Sequence, residues 1–134
     1  MDLDMYAETL LQSYEHPVNK GILDDNQIKR HEENISCGDK ITVYIKLEND
    51  VIKDVKFDGS GCVISMGSAD LLIGEVIGKK ISDMEKFGKA DLLKFIGIDP
   101  GPVRMHCATL CLRAIKKGIF EYVKKEPDRE TKEL

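Results

Sequence analysis

Four cysteines stand at positions 37, 62, 107 and 111, with Asp39 two residues after the first and His106 directly before the third. Thiolate and imidazole ligate zinc and iron–sulfur clusters, and thiolate is also the nucleophile of sulfur chemistry. The residues fall at three points where a loop meets a regular element. Ser36-Cys37-Gly38-Asp39 precedes the first clear strand, and Gly59-Ser60-Gly61-Cys62 leads from a β-rich segment into a helix-period one. His106-Cys107 opens the last predicted helix. Cys62 and Cys107 are thus both expected at helix N-termini, where unpaired N–H groups and the positive dipole end favour thiolate. Only folding can bring points so distant in sequence together.

Each residue also has an ordinary reading. Free cysteine is among the most buried residue types, so Cys62 alone is as readily a packing thiol; its flanking glycines, which allow close backbone approach, favour function. Asp39 alone reads as a turn or cap residue, and His106 as a partly exposed histidine at a helix start. Cys111 lies one turn after Cys107 on an apolar stripe and reads as core, with an auxiliary thiol as the alternative. His16 and His31 fall in polar loops and read as solvated. No CxxC pair is present, which argues against a zinc ribbon or a thioredoxin-type motif.

The elements that must position these groups follow from periodicity. Leu3, Tyr6, Ala7, Leu10, Leu11 and Tyr14 have helical spacing, and His16-Pro17-Val18-Asn19-Lys20-Gly21 ends that helix. Residues 22–34 read as a polar loop with a short edge strand near 27–32. Ile41, Val43, Ile45 and Leu47 alternate with polar residues, Asn49-Asp50 suits a two-residue turn, and Val51, Val55 and Phe57 return on the same face with Lys53 as the misfit. A helix from Val63 to Ile77 ends at Gly78. Ser82 and Glu85 have capping-box spacing for a short helix. Ala90–Ile96 is another short apolar piece, ended by Gly97. Asp99-Pro100-Gly101-Pro102 reads as a rigid loop, and a final helix is expected over about 107–125. The charged stretch 126–134 is expected to fray. The prediction is one α+β domain over 1–134: an antiparallel sheet of about three strands packed against several helices.

Composition bounds the function. The chain has 134 residues, 42% of them apolar and 33% charged, enough for a real core. Twenty basic against twenty-four acidic residues give a net charge of −4, which disfavours nucleic acid as the main partner. No apolar run is long enough to span a bilayer, and the acidic start Met1-Asp2-Leu3-Asp4 lacks the order of a signal peptide. The expected location is cytoplasmic, where thiols stay reduced and are more often metal-binding or reactive than disulfide-paired.

Taken in order, His16-Pro17-x-Asn19-x-Gly21, Cys37-Gly38-Asp39 before a hairpin, Gly59-Ser60-Gly61-Cys62-x-Ile64-Ser65 and Val103-Arg104-x-His106-Cys107 resemble a family. It is that of the iron–sulfur cluster scaffold proteins of the IscU, NifU N-terminal and SufU type, and the likeness covers nearly the whole chain. The resemblance implies a scaffold for a [2Fe-2S] cluster, with persulfide sulfur from a cysteine desulfurase and transfer of the product to apoproteins. It implies the ligand set Cys37, Asp39, Cys62, His106 and Cys107, holding zinc when no cluster is present. Cys107 matches the persulfide acceptor of IscU-like members, and Cys37 the sulfur-relay position of SufU-like ones. A hard carboxylate among soft thiolates suits a site that gives up its cargo.

His106 and the short stretch from Cys62 to Cys107 resemble IscU. The first motif and Cys107-Ala108-Thr109-Leu110 resemble SufU, so a zinc-dependent sulfurtransferase is the alternative function. Pro100-Gly101-Pro102-Val103-Arg104 keeps only part of the motif read by a DnaK-type chaperone. A purely structural zinc domain would unfold without metal, but the amphipathic core looks sufficient on its own.

Overall fold

A computed structural model describes residues 3–134. Met1 and Asp2, part of the acidic start, lie outside the described residues. The elements in order are α1 (Leu3–Glu15), β1 (Ile28–Asn34), β2 (Asp39–Glu48), β3 (Val51–Ser60), α2 (Val63–Val76), α3 (Ile81–Lys86), α4 (Lys89–Ile96), α5 (Gly101–Ala108), α6 (Leu110–Val123) and α7 (Arg129–Glu133). The expected α+β architecture is what forms. An antiparallel sheet in the order β1-β2-β3 is packed by α6 against β1 and β2, and by α2 against β3. No described helix is long and apolar enough to cross a membrane.

The hairpin turns at Asn49-Asp50, with φ of 54° and 61°, the left-handed pair that a two-residue turn requires. Its return strand departs from simple alternation. Lys46 pairs with Asp54 but Leu47 pairs with Ile52, which leaves Lys53 unopposed in a β-bulge. The bulge shifts the phase, so that Ile52 rather than Val51 is fully buried beside Val55 and Phe57. Lys53 looks like a misfit in the sequence because it is the extra residue.

The core joins Ile41, Val43 and Ile45 to Leu72, Ile73 and Val76 of α2 and to Leu112, Ile115 and Ile119 of α6. Helix α2 is buried on nearly every side, unlike a surface helix with one stripe. Its small residues admit close neighbours: a Cβ at Gly67 would stand 2.6 Å from the Leu10 carbonyl oxygen of α1. On α1, Leu10 is buried, while Leu11 and Tyr14 of the expected stripe are exposed.

Four expectations are corrected. The edge strand β1 is longer and carries His31, whose Nδ1 lies 2.9 Å from the Thr42 hydroxyl, so His31 is on a strand and not in a loop. Ser82 caps nothing, because α3 starts at Ile81 with Lys80 at its N-cap. The Pro-Gly-Pro loop becomes the start of α5, since proline is tolerated in a helix's first turn. The tail does not fray over its length: Asp128 caps α7 by accepting from the Thr131 N–H at 2.9 Å, and Thr131 and Leu134 are buried.

Candidate metal and sulfur site

The loop between β1 and β2 is closed by the Gly38 N–H donating to the Asn34 carbonyl at 2.8 Å, and it puts Cys37 on an exposed tip. Asn34 and Asp39 are directly opposed across the two strands, so their side chains share a face. Arg113 of α6 fixes the end of β1 through the Glu33 carbonyl at 2.6 Å and the Glu32 carboxylate at 2.8 Å.

Asp39 sits at the centre and is 2% exposed. Its Oδ1 accepts from the Cys62 N–H at 3.2 Å and its Oδ2 from Asn34 Nδ2 at 3.5 Å. This close approach explains the second glycine of the turn, because a Cβ at Gly61 would lie 2.7 Å from Asp39 Oδ1 and 2.4 Å from Ser65 Oγ. The first glycine answers a different demand. Gly59 still belongs to β3, with φ of 154°, and a Cβ there would strike the Lys40 carbonyl. The strand therefore runs further than expected, to Ser60.

Cys62 is the N-cap of α2, as its position before a helix suggested. Its sulfur accepts from the Ser65 N–H at 3.4 Å and lies 3.6 Å from the Ser65 hydroxyl. Partial burial opposes ionisation. The Ser65 hydrogen bonds, with help from the Ile64 N–H, outweigh it and hold the thiol below its ordinary range.

Cys107 is different from expectation. It lies in the last turn of α5, not at a helix N-terminus, because that helix already begins at Gly101, and a second helix starts at Leu110 after a break at Thr109. The dipole argument therefore does not apply to it. Cys107 is fully buried, and burial together with the adjacent Asp39 carboxylate and Cys37 pushes its thiol far above the ordinary range.

Among the described residues, Cys37, Asp39 and Cys107 form one group whose ligand atoms all lie within 4.8 Å of one another. Cys62 adjoins the group through its backbone contact to Asp39, while its sulfur is turned toward Ser65. His106 is not brought in. Successive helical residues point roughly 100° apart, so with Cys107 inside, His106 is exposed and lines a separate cleft with Met105, Thr109 and Glu130. Cys111 is a buried core thiol, held protonated by burial and by the Asp70 charge.

Sequence reading missed Asn34, Ser65 and the purpose of the first motif. Ser65 was legible as the residue three past an N-cap. Asn34 was not, since its burial depends on the strand register. In the first motif, Asn19 donates from its backbone N–H to Asp70 Oδ1 at 2.8 Å and from Nδ2 to the Asp70 carbonyl at 3.1 Å. Its carbonyl accepts from Phe57 N–H at 3.0 Å, and Gly21 N–H donates to the Phe57 carbonyl at 2.7 Å. The motif thus covers the free edge of β3 and pins it to α2. Pro17 and Lys20 then line a cleft of about 180 Å³ with Gly59 and Gly61.

A three-stranded sheet with a cysteine-and-aspartate group where its hairpins meet two helices defines a class of domain that known proteins share. The NifU-like N terminal domain family matches residues 5–129, and the chain belongs to that family. It is 34% identical over 132 residues to the zinc-dependent sulfurtransferase SufU of Bacillus subtilis, covering 86% of this chain and 89% of that protein. It is also 34% identical over 131 residues to the iron-sulfur cluster assembly scaffold protein IscU of Thermotoga maritima, covering 86% and 92%. Among solved structures, a putative iron-sulfur cluster assembly scaffold protein for the SUF system from Fervidobacterium islandicum superposes with a TM-score of 0.71 at 25% identity, covering 88% of this chain and 99% of that one.

Proposed function

We propose that this chain is a scaffold on which a [2Fe-2S] cluster is built and from which it is passed to apoproteins, with sulfur delivered by a cysteine desulfurase. The observation that carries the reading is the group of Cys37, Asp39 and Cys107 with ligand atoms within 4.8 Å. Two thiolates and a carboxylate at that spacing fit one metal centre, and Cys62, whose N–H bonds Asp39, is the proposed third sulfur. Those four donors also suit a tetrahedral zinc ion in the cluster-free protein. Asp39 is the hard donor among soft ones and already accepts from Cys62 N–H and Asn34, which favours release. His106 stays outside the proposed set as long as α5 keeps this orientation.

Exposure supports one order of events. Cys37 is exposed and Cys107 fully buried, so an incoming desulfurase persulfide meets Cys37 first. The Cys37 thiolate attacks the terminal sulfur, the S–S bond of the desulfurase breaks, and its cysteine leaves as thiolate; Cys37 then carries the persulfide. Cys107, within reach of Cys37, is the next acceptor. The same exposed tip favours the second reading, a zinc-dependent sulfurtransferase, in which the relay is the whole function.

Anaerobic reconstitution with ferrous iron, cysteine and a desulfurase separates the two. The scaffold reading expects a [2Fe-2S] visible spectrum that moves to an added apo-ferredoxin. If only a colourless zinc protein forms, and it stimulates the desulfurase at catalytic amounts in a way lost on Cys37→Ala, the sulfurtransferase reading replaces it.

A further inference from the structure

Asn34 is a polar side chain, 8% exposed, whose amide nitrogen stands between two members of the metal group: 3.4 Å from Cys107 Sγ and 3.5 Å from Asp39 Oδ2. The Asn34 amide presents its nitrogen to both neighbours, and its two hydrogens match the two acceptors. The placement is enforced from outside the site. Asn34 ends β1 opposite Asp39, its carbonyl closes the Cys37 loop through Gly38, and the preceding residue is anchored by Arg113.

We infer that Asn34 is a positioning residue of the metal site, whose amide holds Cys107 and Asp39 in register and continues to donate an N–H to the Cys107 sulfur once that sulfur ligates metal. The inference rests on the ligand assignment proposed above. Two consequences follow from the chemistry of such a bond. It orients the donors before metal arrives, which raises affinity, and outer partners of this kind are worth about 10–100-fold in metal binding. It also draws electron density from the sulfur and lowers the energy of its lone pair, so it tunes the metal–sulfur bond and any cluster potential. Asn34 thus gives one ligand a different donor strength from the exposed Cys37.

Cobalt(II), added anaerobically to the metal-free full chain, reads both effects. The unsubstituted protein is expected to show thiolate-to-cobalt charge-transfer bands. Asn34→Leu keeps similar volume without the donor. Its bands are expected at longer wavelength, with affinity lower by about tenfold. No thiolate bands in the unsubstituted protein would overturn the ligand assignment and this inference together. Bands and affinity unchanged in a folded Asn34→Leu protein overturn the inference alone. If that variant does not fold, the unsubstituted protein loaded with an NMR-active cadmium isotope decides: coupling between the metal and the Asn34 side-chain amide protons supports the bond, and its absence overturns it.

Discussion

Cys62 and Cys107, both beside Asp39, are chemically opposite thiols. The Ser65 hydrogen bonds hold Cys62 below the ordinary thiol range, and burial beside Asp39 holds Cys107 above it. Alkylation of the metal-free protein with iodoacetamide near neutral pH is therefore expected to modify Cys37 and Cys62 while Cys107 and the buried Cys111 stay unlabelled until denaturant is added. Peptide mass spectrometry reads the order, and early labelling of Cys107 would contradict the buried geometry. This contrast was not legible in the sequence. Both cysteines looked like helix N-caps, and the difference arises because α5 begins at Gly101 and carries Cys107 into its buried last turn. Asp39 was legible as a partner of Cys37 because only Gly38 lies between them. Asn34 depended on a register that no local pattern shows.

At the scale of elements, the first motif acts as a clamp. Asp70 is 5% exposed and receives the Asn19 backbone N–H. Replacing Asp70 by Ala strands a buried donor and is expected to cost about 1–3 kcal/mol, lowering the melting temperature by several degrees. Differential scanning calorimetry measures it, and an unchanged midpoint would show that the clamp contributes nothing. The central hairpin was readable because alternation and Asn49-Asp50 agree. Strand β1 was only half readable because most of its residues are charged on both faces and are held by ion pairs: Arg30 with Glu32 at 2.9 Å, and Lys40 of β2 with Glu33 at 3.6 Å. The tail was misread for a related reason. Its anchors are single residues, among them Asp128, which lies 3.9 Å from the buried Lys116 ammonium, and such contacts leave no periodic trace.

At the scale of the whole molecule, two thiols are held protonated in the fold. The unfolded chain releases protons from Cys107 and Cys111 as pH rises past the ordinary thiol value of about 8.5, while the folded protein keeps them. The unfolded state then binds fewer protons, so stability falls as pH rises. The stability linked to these two thiols is fully present below that value and is lost progressively above it. Cys62 acts in the opposite sense: its folded thiol is depressed, so its contribution is present above the ordinary value and lost as pH falls through the folded one. Urea midpoints of the metal-free protein are expected to drop between about pH 8 and about pH 10, with a limiting slope near 1.4 kcal/mol per pH unit for each thiol. Cys111→Ala should make the decline shallower. A midpoint that does not move over that interval would mean that neither thiol keeps its proton in the fold.

The interruption between α5 and α6 has a consequence for how this sequence can diverge. Helix α6 carries Leu112, Ile115 and Ile119 into the interior, and most changes there leave a void or a clash. Helix α5 carries Pro102, Val103, Arg104 and His106 on its exposed side and only Cys107 and Ala108 inward. Because the two are separate segments, mutation can explore the exposed residues of 102–106 with little penalty to folding. The exposed face of α5 can therefore diverge freely while the core packed by α6 stays fixed.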